Sequence, residues 1–167
     1  MQTLVIGDIH GCYFELQTLL DKAGLNDGDS IVSLGDFVDR GPETPQVLDF
    51  LQNTPHTRAL MGNHERKHVR AARGELSLAI SQKISRQQLG EGYANAVAWL
   101  ERLPLFLELP EVILVHGYLE PGVPIEEQNP TVLCGTMSGE KVLRERYEHP
   151  WYELYEGKKP VIVGHHN

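Results

Sequence analysis

Apolar positions along this chain fall into short runs that change period. Thr3 to Ile6 is apolar and β-branched, which predicts a buried strand. From Tyr13 to Ala23 the apolar residues Leu16, Leu19, Leu20 and Ala23 recur at helical spacing, and Gly24 follows as a helix stop. LNDGDS then reads as a turn, Ile31 to Leu34 as a second buried strand and GDFVDRGP as a loop. Pro42 is placed to open a helix at its first position, with Val47, Leu48 and Leu51 on one face. Arg58 to Met61 reads as a third strand. Such a strand–helix–strand–helix–strand order implies parallel strands joined by right-handed crossovers.

The rest of the chain is patterned less regularly. Residues 65–103 read as mostly helical, with Tyr93, Ala96, Val97 and Leu100 forming an apolar stripe read as core. Phe106 to Leu109 and Val112 to Val115 predict two strands around a turn at Pro110 and Glu111. Tyr118 to Glu140 reads as loop, and Val161 to Val163 as a last strand. The chain shows no internal repeat, low-complexity tract or linker, so residues 1–167 are expected to form one domain with a helical insert at about 65–103.

Each apolar run delivers a polar cluster at its carboxyl end. The clusters are GDIHGC at Gly7 to Cys12, GDFVDRG at Gly35 to Gly41, GNHE at Gly62 to Glu65, His116-Gly117 and Gly164-His165-His166. In open parallel sheets, ligands sit beyond the carboxyl ends of the strands, so the first three clusters are expected to meet at one sheet edge. Asp8, His10, Asp36, Asn63, His116 and His165 then offer oxygen and nitrogen donors without a thiolate. That set suits Mn²⁺, Fe²⁺ or Zn²⁺ rather than a structural thiolate site. Asp36, on the middle strand, is the natural carboxylate to bridge two ions, and such a pair can clamp a phosphoryl group. His64 could protonate a leaving oxygen, Asp39 could orient that imidazole, and Arg40 has the fork that fits phosphate oxygens.

Composition narrows the classes further. A net charge of −8 excludes a broadly basic nucleic-acid footprint, and no stable nucleic-acid complex is expected. Cys12 and Cys134 are too few for a disulfide framework and read as small core residues. The amino terminus lacks a basic region and a long apolar run, and no stretch reaches membrane-span length. A cytoplasmic protein without membrane contact is therefore expected. Residues 66–73, RKHVRAAR, form a basic cluster in an acidic chain. It reads as a solvated helix face, with collection of a polyanionic substrate as the sharper alternative.

GDIHGC, GDFVDRGP and GNHE, followed by a lone HG and a late GH, resemble the calcineurin-like metallophosphoesterases, and within them the phosphoprotein-phosphatase branch. The resemblance implies an α/β fold: a two-layered mixed β-sheet sandwich flanked by helices. It implies two divalent metal ions, manganese first, with iron, zinc or nickel as alternatives. Asp8 and His10 would take one ion, Asn63, His116 and His165 the other, and Asp36 both. Arg40 and Asn63 would bind substrate phosphate, and His64 with Asp39 would be the leaving-group acid. The implied activity is hydrolysis of phosphomonoesters by a metal-bridging hydroxide, as in protein Ser/Thr phosphatases. The alternatives are a dinucleoside tetraphosphate hydrolase, an RNA- or nucleotide-end phosphatase, and a non-enzymatic metal-dependent binding protein.

Several positions depart from the family pattern. Asp39 stands where bacterial symmetrical dinucleoside tetraphosphatases commonly carry Ala. Tyr118 follows His116-Gly117 where the family has HGG or HAG. His166 occupies a common Thr position, and Asn167 the place of a further His in the wider superfamily. Arg144 and Arg146 lie in the interval of a second phosphate-binding Arg. Such chains also run on past the late GH through a hairpin that completes the second sheet, so a chain shortened at its carboxyl end is expected.

Overall fold

A computed structural model of the chain describes residues 1–165. The first sheet is built from β1 (Thr3–Ile6), β2 (Ser30–Ser33) and β3 (Thr57–Ala59), linked by α1 (Tyr13–Ala23) and α2 (Thr44–Asn53). All its strands are parallel, in the order β1-β2-β3, with Val5 opposite Val32 and Val32 opposite Arg58. Gly24 caps α1 in the left-handed region at φ 59°, donating its N–H to the Leu20 carbonyl. One boundary differs from expectation: α2 opens at Thr44, not at Pro42. The cause is tertiary. Glu43 donates its N–H to Gly11 O at 2.9 Å, and its carboxylate accepts from Tyr13 N–H at 3.2 Å. The segment before Thr44 is thereby tied to the first loop, and Pro45 takes the helix's first turn instead.

Three helices follow, α3 (Asn63–Ala72), α4 (Ile80–Leu89) and α5 (Tyr93–Leu100), where helix was expected. The second sheet is mixed. β4 (Phe106–Glu108) pairs antiparallel with β5 (Ile113–Val115), and β5 pairs parallel with β6 (Val161–Val163). Between β5 and β6 the segment expected as loop contains α6 (Pro130–Leu133) and the start of α7 (Met137–Arg146). Their caps are local: Asn129 accepts from Thr131 N–H at 2.9 Å, and Thr136 from Gly139 N–H at 3.0 Å.

Strand alternation creates the layers. Val32 and Leu34 point into an apolar layer shared with Leu107, Leu109 and Leu114 of the second sheet. Ile31, one residue away, points into the layer under α1 and α2, with Leu16, Val47, Leu48 and Leu51. Ala96, Val97 and Leu100 join that core, as their stripe predicted. The outer face of the second sheet is covered by Leu119, Leu133, Trp151 and Tyr155. The result is the two-layered, helix-flanked sandwich that the resemblance implied. Leu114 is wholly buried between the sheets, and its truncation to Ala would cost about 2–5 kcal/mol.

Candidate active site

The loops leaving β1, β2 and β6 are held in conformations that side chains resist. His10, Asp36, Asp39, Arg40 and His165 have φ of 47°, 50°, 71°, 69° and 65°. For residues with a Cβ such values cost free energy, and they persist only where surrounding bonds over-determine them. Here the bonds are plain. Ile9 and His10 donate their N–H groups to Asp36 O at 3.1 and 2.9 Å, and Gly11 donates to Phe37 O at 2.9 Å. Glu65, fully buried, accepts from the N–H groups of Asp36, Phe37, Val38 and Gly62 at 2.8 to 3.2 Å. Glu65 belongs to GNHE, yet the sequence assigns it no task. It is the anchor that folds the Asp36 loop over the start of α3. Burial and the nearby Asp36 charge push its carboxyl up to about 7. Gly35 permits the close approach: it sits at φ 112°, and a Cβ there would meet Gly62 N at 2.6 Å.

The expected donors converge. Asp8 Oδ1 accepts from His165 N–H at 3.0 Å, joining the ends of β1 and β6 and hence the two sheets. Asp8 Oδ2 lies 3.7 Å from His10 Nε2, and Asp36 Oδ1 lies 3.5 Å from His116 Nε2. Two groups have donor atoms within 4.8 Å of one another: His10, Asp36 and His64, and Asp36, His116 and His165. Asp36 belongs to both, as expected of a bridging carboxylate. His64 enters the first group as well, but its ring nitrogens already face Asp39 and Arg40, at 2.7 and 3.5 Å. Burial opposes the Asp36 anion, but His116 and His64 outweigh it and hold the carboxyl at about 2. Burial depresses the His116 imidazole in turn, and Asp36 raises it by more. Burial, aided by the charge of Arg40, lowers His10.

Ring tautomers test whether these residues fit metal ions. His10 Nδ1 lies 3.0 Å from Val38 O, and His116 Nδ1 lies 3.1 Å from Leu34 O. A carbonyl only accepts, so each Nδ1 carries a proton and Nε2 is the nitrogen left to face the carboxylates. Both Nε2 atoms are buried without a hydrogen-bond partner, and so is Asn63 Oδ1. Nitrogens that face carboxylates in a dry pocket need a proton or a metal cation between them. The donor set therefore fits divalent ions, and second ring nitrogens bonded to backbone carbonyls are what metal-bound histidines require.

On the other side of Asp36 lies a hydrogen-bonded chain. His64, in the first turn of α3, places Nδ1 2.7 Å from Asp39 Oδ2. The successive left-handed residues Asp39 and Arg40 send one side chain inward and the other out: Asp39 is wholly buried and Arg40 exposed. Asp39 has two more partners, His68 Nε2 at 2.9 Å and Gln82 Nε2 at 2.6 Å, and Tyr93 Oη bonds His68 Nδ1 at 3.1 Å. Burial disfavours the Asp39 charge, but His64 and His68 overcome it and hold its carboxyl far below the usual carboxylate range.

His68 was read as part of a solvated basic face, and the structure corrects this. The side chain is buried, and so is Val69. The available signal was its spacing, four residues after His64 and so on the same helix face. Arg66, Lys67 and Arg70 are only half-buried, while Arg73 is exposed and pairs with Glu101. Arg144 and Arg146 are tied to Glu140 and Glu120. Cys134 is a core residue whose thiol burial pushes up to about 12. His166 and Asn167 lie outside the described residues. Among the described residues, no helix is long and apolar enough to cross a membrane.

Comparison with known proteins places this geometry. A family model for calcineurin-like phosphoesterases matches residues 1–167. A symmetrical bis(5'-nucleosyl)-tetraphosphatase of Psychromonas ingrahamii is 31% identical over 174 residues, covering 95% of this chain and 62% of that protein. Its counterpart in Shewanella frigidimarina is 36% identical over 121 residues, covering 70% of this chain and 44% of that protein. The chain thus spans roughly half the length of the curated relatives it matches. A crystal structure named provisionally as a diadenosine tetraphosphatase shares the fold at TM-score 0.76 and 22% identity, covering 98% of this chain and 74% of that one. A metallophosphoesterase from Sphaerobacter thermophilus gives 0.56 at 27% identity, over 70% and 46%. With the two sheets, the strand-end donors and the whole-length match in agreement, the chain belongs to the calcineurin-like phosphoesterase family.

Proposed function

We propose that this chain carries the catalytic site of a metal-dependent phosphoric ester hydrolase whose substrates are dinucleoside polyphosphates. The observation that carries the hydrolase reading is the pair of buried Nε2 atoms, on His10 and His116, turned toward the carboxylates of Asp8 and Asp36. Asp8, His10 and Asp36 would hold one ion, and Asp36, Asn63, His116 and His165 the other. When bound, such ions supply a nucleophile at neutral pH and neutralise phosphoryl charge. The protein's own groups do the remainder. Arg40, exposed beside His64, grips two phosphoryl oxygens with its fork, and Asn63 lends its side-chain amide. His64 would give a proton from Nε2 to the leaving oxygen. Asp39 steadies the imidazolium through Nδ1, and His68 and Gln82 hold Asp39 in place.

The tetraphosphatases among its relatives support the dinucleotide substrate. One observation favours a second reading, a phosphomonoesterase of the protein Ser/Thr type. The His64–Asp39 pair is complete, and a proton donor matters most when the leaving group is an alkoxide. A nucleoside diphosphate leaves as a stable anion and needs less help. The deciding experiment measures kcat/KM of manganese-reconstituted protein for diadenosine tetraphosphate, a phosphoserine peptide and p-nitrophenyl phosphate. Release of ADP from the dinucleotide, at higher kcat/KM than phosphate release from the peptide, is expected. Preference for the peptide selects the second reading. Turnover left undiminished in Asp36→Asn would overturn both.

A further inference from the structure

A cavity of about 220 Å³ opens beside Asn63, between α3 and the start of α7. Arg66, Lys67 and Arg70 line it from α3, with Thr131 and Ser138 opposite. Asn63, Arg66, Lys67 and Arg70 stand at i, i+3, i+4 and i+7, one continuous face of the helix. No carboxylate lines the cavity. Arg66 and Lys67 are half-buried and have no ion pair among the described residues, and Arg66 Nε is buried without a hydrogen-bond partner. Arg70 is balanced by Glu75 at 2.8 Å. The first turns of two ten-residue helices, α3 and α7, also border the cavity, and helix amino termini favour anions.

Arg66 shares the field of Glu75 with Arg70 and Arg73, and Lys67 has no carboxylate partner among the described residues, so these cations keep an excess of positive charge in a protein of net charge −8. An anion resting there would balance that excess. The volume is below the roughly 300–1,000 Å³ typical of sites that enclose a whole drug-sized ligand. It suits a small, highly charged group. Asn63 lines this cavity, and its chain neighbour His64 donates its N–H to Asp36 Oδ1 at 2.9 Å, so a group seated here lies near a phosphoryl group held at Arg40 and Asp36.

We infer that this cavity is a subsite for the phosphate that neighbours the scissile one in a polyphosphate chain, with Lys67, Arg66 and Arg70 as its ligands. The inference rests on the phosphoester reading of the adjacent site and adds a reason for preferring polyphosphates over monoesters: a monoester has no second phosphate to place there.

Calorimetric titration of manganese-loaded protein tests it, using AMP and the non-hydrolysable α,β-methylene-ADP. Wild-type protein is expected to bind the two-phosphate compound about tenfold more tightly, the order of one charge-assisted hydrogen-bonded contact. Lys67→Ala and Arg70→Ala should each erase most of that advantage while changing AMP affinity little, and Lys67→Arg should restore it. Neither side chain is in the core, so both variants should fold, which circular dichroism checks. Variants that keep the full advantage, or a wild type that shows none, overturn the subsite. Turnover is not read in this assay. A chain that hydrolyses no dinucleotide yet shows the drop would defeat the substrate reading and leave the subsite standing.

Discussion

At the scale of single residues, Asp39 decides how His64, the proposed proton donor, is held. Its two oxygens are shared among His64, His68 and Gln82, so the carboxylate cannot rotate away from His64 without breaking at least one other bond. His68→Ala should therefore loosen Asp39 and misplace the His64 proton. A general acid is worth about 10²–10⁴ in rate, and losing its orientation should lower kcat for an alkyl phosphate by roughly tenfold. For p-nitrophenyl phosphate, whose leaving group needs little protonation, the loss should be much smaller. Equal losses on both substrates would assign His68 a merely structural role. The motif letters Asp39 and His64 were legible from their spacing to the metal-ligand clusters. His68 and Gln82 were not, because their role depends on two helices packing against one loop.

At the scale of elements, loops rather than strands carry the strain, and Glu65 holds it. The side chain bonds four backbone N–H groups in a buried pocket. Glu65→Gln would set an amide NH₂ against N–H donors and leave some of them unpaired. The cost should be about 3 kcal/mol, read as a lowered midpoint in urea denaturation. A second element-level contact is exposed. Asp29, in the turn before β2, accepts from Asn26 N–H at 2.9 Å and from Gln2 N–H at 2.8 Å, pinning the entry of β1. These bonds favour the anion and lower its carboxyl from the ordinary 3.8 to about 2. The unfolded chain thus binds the proton at higher pH than the folded one. Stability from this group is complete above about pH 4 and drains away as pH falls towards 2. Asp29→Asn should flatten that limb in thermal melts recorded between pH 5 and pH 2. An unchanged slope would show that the turn gains nothing from the charge. The turn itself was plain in LNDGDS, but its bond to Gln2 was not, since the partner lies 27 residues away.

At the scale of the whole molecule, the proposed metal donors come from both sheets. Asp8, His10, Asp36 and Asn63 stand at strand ends of the first, and His116 and His165 at strand ends of the second. Ions held by this set would staple the layers and would give the buried Nε2 atoms the partner they lack. Metal at a hundredfold excess over its dissociation constant should stabilise the fold by about 2.7 kcal/mol. Chelation with EDTA should accordingly lower Tm, and added Mn²⁺ should restore it. In His116→Ala the restoring shift should shrink. A Tm indifferent to both chelator and manganese would count against a metal centre in this fold.

How far the amino-acid sequence reached depended on the range of the interaction. α1 and its Gly24 stop, the parallel first sheet with β2 in its middle, and the donor residues at strand ends all follow from apolar periodicity and from side chains adjacent in the chain. Tertiary structure decided what depends on distant partners. It moved the start of α2 to Thr44 because Glu43 is bound to Gly11 and Tyr13. It buried His68 in what looked like a solvated face, made Glu65 the anchor of the Asp36 loop, and gathered Arg66, Lys67 and Arg70 around one cavity. Periodicity says which face of an element is apolar. Only packing says what that face, or the polar one beside it, meets.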